Sequence, residues 1–91
     1  MQSKKIIVED PLGIHLRPAG ALCDVAVKYE SAIAFEYREG RTANAKSMLS
    51  VLAAGVKCGD EINLICIGSD EVAAMEDVST VLINALKGSE A

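Results

Sequence analysis

One stretch of this chain gathers residue types able to do chemistry: Gly13-Ile14-His15-Leu16-Arg17-Pro18-Ala19-Gly20, which holds the sole histidine of the sequence. Imidazole is a nucleophile and is largely uncharged near neutral pH. Arg17, two residues on, brings a permanent cation. Pro18 lacks a backbone N–H and fits only the first turn of a helix. Ala19 to Tyr29 reads as helix, so the helix begins near His15, and Gly13 closes the preceding loop without steric cost. The imidazole is therefore expected at a helix N-terminus, beside unpaired N–H groups and the positive end of the dipole, in cationic surroundings. Such a place favours an anion, and phosphate above others. A neutral ring nitrogen can attack phosphorus, and the N–H groups and guanidinium then receive the charge. The dipole contributes roughly 0.3–1 kcal/mol, enough to poise a phosphoramidate without trapping it. The plain alternative is a polar surface histidine or a helix cap, and the Gly-x-His-x-Arg-Pro context argues against it.

Composition narrows the field. The chain has 91 residues, is 51% hydrophobic and carries a net charge of −4. That suits one small globular domain spanning residues 1–91. Few aromatics and no basic block argue against nucleic acid as a partner. The apolar run near the N-terminus is too short for a signal peptide, and no segment is long enough to span a bilayer. A cytoplasmic protein without membrane contact is the default expectation. Cys23, Cys58 and Cys66 have no C-x-x-C spacing, and with one histidine they make no metal signature. Cys23 and Cys66 are expected as small core residues, and Cys58 lies in a loop.

These residues need positioning elements. Lys4 to Glu9 is β-branched and reads as a first strand, followed by the loop Asp10-Pro11-Leu12-Gly13. The first helix runs from Leu16 to about Tyr29, with Leu22, Val25, Ala26 and Tyr29 on one buried face. Asp24 and Lys28 form an i,i+4 pair on its solvent side. Ile33, Phe35 and Tyr37 alternate with Ala34, Glu36 and Arg38, a half-buried strand. Glu39-Gly40 turns the chain into a short strand from Arg41 to Ala43. Ser47 is a preferred N-cap for a short helix carrying Met48, Leu49, Val51 and Leu52, and Gly55 suits its end. Glu61 to Ile67 is apolar on both faces and reads as a central strand. Gly68-Ser69-Asp70 opens the last helix, whose inner stripe is expected at Val72, Met75, Ser79, Leu82, Ile83 and Leu86, with Gly88 at its end. The order β-α-β-β-α-β-α gives an α+β fold with helices on one face of a sheet.

Gly-Ile-His-Leu-Arg-Pro-Ala resembles the active-site motif of HPr, the histidine-containing phosphocarrier family of the bacterial phosphoenolpyruvate-dependent sugar phosphotransferase system. The similarity extends roughly from Lys5 to Gly88. It includes a second motif, Asn44-Ala45-Lys46-Ser47-Met48-Leu49, similar to the family segment that holds a regulatory serine. The resemblance implies an open-faced β-sandwich, with a four-stranded antiparallel sheet in the order 1-4-2-3 and three helices on one face. It implies that enzyme I phosphorylates His15 on Nδ1 and that the group passes to a sugar-specific enzyme IIA. Arg17 and the N–H groups of Leu16 and Arg17 would stabilise the phosphate, and Pro18 would position the site and contribute to the partner contact. Ser47 would be the regulatory site, served by a dedicated kinase/phosphorylase and read by a transcriptional regulator. Met48, Leu49 and Leu52 are the candidate docking patch around it. No cofactor and no metal are implied. The protein would be a transfer intermediate and a monomer, not a stand-alone enzyme. Asp24 stands where relatives often place a basic residue, and the hairpin loop is one residue longer than the family pattern.

Two other functions compete with sugar transport. One is a regulatory paralogue, nitrogen-related or of corepressor type, acting mainly through protein binding. The other is a binding module that works through Ser47 and leaves His15 idle. A hydrolase is disfavoured, because no Ser-His-Asp arrangement can be placed.

Overall fold

The computed structural model describes residues 1–87. Seven elements follow in the order expected: β1 (Gln2–Ile7), α1 (Leu16–Ala26), β2 (Ala32–Arg38), β3 (Arg41–Asn44), α2 (Met48–Ala53), β4 (Glu61–Ile67) and α3 (Glu71–Lys87). The four strands form one antiparallel sheet in the order β1-β4-β2-β3. β4 is central, as its sequence indicates. Its pairing places Ile6 opposite Ile62, Ile33 opposite Cys66 and Phe35 opposite Leu64. All six are buried, so one face of the sheet forms the floor of the core. The helices cover that face, α1 packing on α3 and α3 on β1 and β4. Among the described residues the other face stays open: Ile65 is half-buried and Ile67 is 52% exposed. Apolar residues on both faces of β4 thus mark its central position in the sheet, without a second layer over it.

Several boundaries differ from the sequence reading, each for a local reason. β1 begins at Gln2, because β4 offers it partners up to Cys66, and its regular ladder ends at Ile7 opposite Glu61. Val8 still donates to the Asp60 carbonyl and accepts from the Gly59 N–H. α1 stops at Ala26. The N–H groups of Lys28 and Tyr29 reach only the carbonyls three residues back, a tightened final turn. The chain is drawn off the helix there, since the Glu30 and Ser31 N–H groups and the Ser31 hydroxyl all donate to Asp70. Tyr29 itself donates to Asp77. The β2–β3 register has one irregularity, with Tyr37 as the residue left over between Glu36 and Arg38. α2 ends as expected, with Gly55 at φ +65 just past its cap.

The inner stripe of α3 needs one correction. Val72 is 64% exposed, while Ala74 and Val78 are buried with Met75, Ser79, Leu82 and Leu86. The first turn of α3 lies over Gln2 and Lys4, the polar positions on the inward side of β1, so nothing apolar meets Val72. Ile83 is half-buried against the core. Gly88, expected to end this helix, lies outside the described residues. Cys23 and Cys66 are buried and Cys58 is exposed, all three unbridged. Burial pushes both inner thiols up, which keeps them unreactive.

These differences predict different costs along α3. Leu82→Ala should lower unfolding stability by about 2–5 kcal/mol. Val72→Ser should change it by no more than about 0.5 kcal/mol. Urea denaturation of the two variants beside the parent chain measures both.

Candidate functional site

The site is built at the head of α1. His15 is the N-cap residue, with extended backbone angles, and its side chain makes no capping bond. The ring is thereby left free for other contacts. Leu16 and Arg17 are the first two helical residues, Pro18 has no N–H, and the Ala19 N–H is already bonded to the His15 carbonyl. Among the described residues the Leu16 and Arg17 N–H groups have no partner, as expected of the first turn. Proline at this point removes a donor that the helix could not have used.

The preceding turn sets the direction of entry. The Gly13 N–H donates to the Asp10 carbonyl at 2.8 Å, closing a four-residue turn with Pro11 second. Gly13 has φ +70, and a Cβ there would lie 2.2 Å from the Val56 carbonyl oxygen and 2.8 Å from the Lys57 Cα. Only glycine permits that approach. The next N–H, that of Ile14, donates to the same Val56 carbonyl. The α2–β4 loop thus fixes where α1 begins.

Asp10 is the residue that sequence reasoning missed. It lies in the loop after β1, fully buried. Its Oδ1 accepts from the Leu12 N–H at 2.9 Å. Its Oδ2 accepts from Arg17 at 2.7 Å and lies 3.2 Å from His15 Nε2. The Leu12 N–H, acting against burial, and then the His15 ring and the Arg17 guanidinium hold its carboxyl below the usual carboxylate range. The signal was available in Asp10-Pro11-x-Gly13. Aspartate before proline in a tight turn commonly bonds its own backbone two residues on.

One expectation is corrected here. The surroundings of His15 are not simply cationic, because a carboxylate faces the ring. Arg17 is held at both ends of its fork: its other terminal nitrogen donates to the Ala85 carbonyl in the last turn of α3 at 2.7 Å. The guanidinium therefore ties the start of α1 to the end of α3, although its side chain remains 45% exposed. A second correction concerns Pro18, which is fully buried and offers no surface to a partner. Its place is inside the first turn.

Ser47 caps α2 as expected, its hydroxyl accepting from the Ser50 N–H at 3.2 Å. Leu49 is 79% exposed, whereas Met48 and Leu52 are half-buried against the core. Val51 is buried, as expected of a core residue. α2 packs beside α1.

Residues 2–84 match the family described as PTS HPr component phosphorylation site. The phosphocarrier protein HPr of Lysinibacillus sphaericus is 40% identical over 82 residues, covering 90% of this chain and 92% of that one. The solved histidine-containing phosphocarrier protein of Mycoplasma superposes with a TM-score of 0.89 at 30% identity, covering 93% of this chain and 96% of that chain. Crh, the catabolite repression protein of Bacillus subtilis, whose structure is a swapped, intertwined dimer, superposes with a TM-score of 0.72 at 29% identity, covering 93% of this chain and 97% of that chain.

The site has a predictable response to acid. Because the folded carboxyl of Asp10 titrates below its unfolded value, its contribution to stability is complete above about pH 4 and is lost as pH falls through the lowered folded value. Asp70 behaves alike, held down first by the Ser31 hydroxyl and then by the Glu30 N–H. Guanidinium unfolding at about pH 5 and about pH 3 should show a smaller loss of stability on acidification in Asp10→Asn than in the parent chain. By motif, fold and overall likeness, the chain belongs to the HPr family of phosphotransferase-system phosphocarriers.

Proposed function

We propose that this protein accepts a phosphoryl group on His15 from phospho-enzyme I and passes it to an enzyme IIA. The observation that carries the reading is the position of the ring: an N-cap imidazole with Nε2 against Asp10, in a chain of the HPr family. Nδ1 is the remaining nucleophile. The Leu16 and Arg17 N–H groups are suited to receive phosphate oxygens, as backbone donors at a helix start do elsewhere. Arg17 would join them by exchanging the Ala85 carbonyl for a phosphate oxygen. A charged acceptor makes the stronger bond. The chain needs a protein donor and a protein acceptor, acts without cofactor or metal, and turns over nothing alone. A monomer suits a shuttle that visits several partners.

Incubation with enzyme I and phosphoenolpyruvate should add one acid-labile phosphoryl group, read by intact mass, and His15→Ala should add none. An unmodified parent chain, beside a known HPr that is charged by the same enzyme I, would overturn the reading.

Ser47 is the proposed regulatory site. A phosphate there adds about −1.5 to −2 charges at a helix start, where the dipole tolerates them. The fold should survive, while an acidic partner surface is repelled. Leu49, exposed beside it, is the leading residue of the docking patch, with Met48 and Leu52 contributing their outer edges. Ser47→Asp should therefore stay within about 1 kcal/mol of parental stability but take phosphate from enzyme I more slowly. Calorimetry and initial rates measure the two effects. The structural likeness to Crh supports a regulatory role as the second reading. Testing which enzyme IIA accepts the group from phospho-His15 separates it from sugar transport.

A further inference from the structure

We propose that Asp10 is a positioning residue for phosphoryl transfer: its buried carboxylate holds the imidazole proton on Nε2 and leaves the Nδ1 lone pair outward. The inference rests on the phosphocarrier reading of His15. An ionised carboxylate only accepts hydrogen bonds. The contact of Oδ2 with Nε2 at 3.2 Å is favourable only when Nε2 carries a proton. A neutral imidazole has one proton, so Nδ1 then has none. The carboxylate itself cannot turn away. Its side chain is fully buried, Oδ1 is fixed by the Leu12 N–H at 2.9 Å, and Oδ2 is fixed by Arg17 at 2.7 Å. Three elements contribute: the turn after β1 supplies the anion, α1 supplies the ring and the guanidinium, and α3 anchors that guanidinium through the Ala85 carbonyl. The α2–β4 loop packs beneath Gly13 and brings Lys57 and Asp60 to this side, where the Lys57 N–H donates to the Asp60 carboxylate.

The chemistry shows why this matters for a shuttle. The Nδ1 lone pair attacks the phosphorus of a phosphorylated donor protein. An Nδ1–P bond forms, and the bond from phosphorus to the donor breaks, its electron pair leaving with the donor. The ring keeps its Nε2 proton and becomes cationic, with the Asp10 charge beside it. Onward transfer breaks Nδ1–P, the pair returns to Nδ1, and the ring is again neutral with the proton on Nε2. No proton crosses the ring in either direction. A ring protonated on Nδ1 would have to move that proton before each cycle.

The test joins two measurements on nitrogen-labelled full-length chains: the imidazole ¹⁵N and ¹H spectrum, and the initial rate of phosphoryl uptake from phospho-enzyme I across the neutral pH range. The parent chain should show the Nε2–H form predominating. Asp10→Asn keeps the shape, but one carboxamide cannot accept from both the Leu12 N–H and Nε2. Asp10→Ala removes both acceptors. In each variant the Nε2–H fraction should fall, and kcat for uptake should fall with it by about tenfold or more, while KM for the donor changes little. Amide spectra establish that the variants are folded. Should Asp10→Ala fail to fold, Asp10→Asn decides, and the parent spectrum decides if both fail. Predominance of Nδ1–H in the parent overturns the proposal. So does a folded variant that keeps the Nε2–H form at any rate, or one that loses it while kcat holds. Should the parent chain take no phosphate at all, the carrier reading has failed, and the spectra still report separately whether Asp10 sets the proton.

Discussion

A carboxylate shut away from water is tolerated only when its oxygens are fully engaged, and Asp10 meets that condition through three donors from three places in the sequence. The Leu12 N–H shapes the turn, the imidazole ring is oriented, and the Arg17 guanidinium is drawn inward to bridge toward α3. Each of these groups has another use for its donor in water. Gathered around one buried anion, they become mutually dependent, and the head of α1 takes a single arrangement. The His15 ring is thus held against a buried charge.

The rest of the fold serves to keep that cluster in register. Asp10 hangs from the end of β1, whose last regular pair is Ile7 with Glu61. His15 heads α1, which lies on α3 above the buried face of the sheet. The two are joined by one tight turn, and the turn is pinned from below by the Val56 carbonyl, which leaves no room for a side chain at Gly13. The two ends of the site are therefore tied to the sheet through short connections. Ser47 belongs to a different level of organisation, since its hydroxyl caps one short helix and carries no tertiary contact of that strength.

Much of this was legible in the residues. The alternation in Ile33-Ala34-Phe35 and in Ile62 to Cys66 gives the inward face of the sheet directly, because side chains alternate along a strand wherever no bulge interrupts it. Pro18 confines the start of α1 to the neighbourhood of His15, and the helix begins at Leu16. The reading failed where a distant partner overruled a local preference. Val72 fits a helical stripe by spacing, but the stripe ends where the strand beneath turns polar at Lys4. Tyr29 fits the first helix, yet Asp70, 41 positions later in sequence by the numbering, captures the backbone just beyond it. Asp10 had a local signature as a turn residue, but its contacts with His15 and Arg17 required the helix to be placed first. The tie from Arg17 to Ala85 is hidden for the same reason: periodicity cannot reveal that the end of α3 lies beside it.

The strand order has a consequence in time as well as in space. Among the described residues β1 is an edge strand whose sole neighbour is β4, 54 to 64 positions later in sequence. While the chain is being synthesised, Gln2 to Ile7 must wait for Glu61 to Cys66 before they have anything to pair with. Closing so long a loop is the slow step in folds dominated by distant contacts. The Asp10 turn follows β1 and rests on Val56, so it gains its support late as well. The histidine motif thus leaves the ribosome early but acquires the geometry of the site only after β4 has followed it.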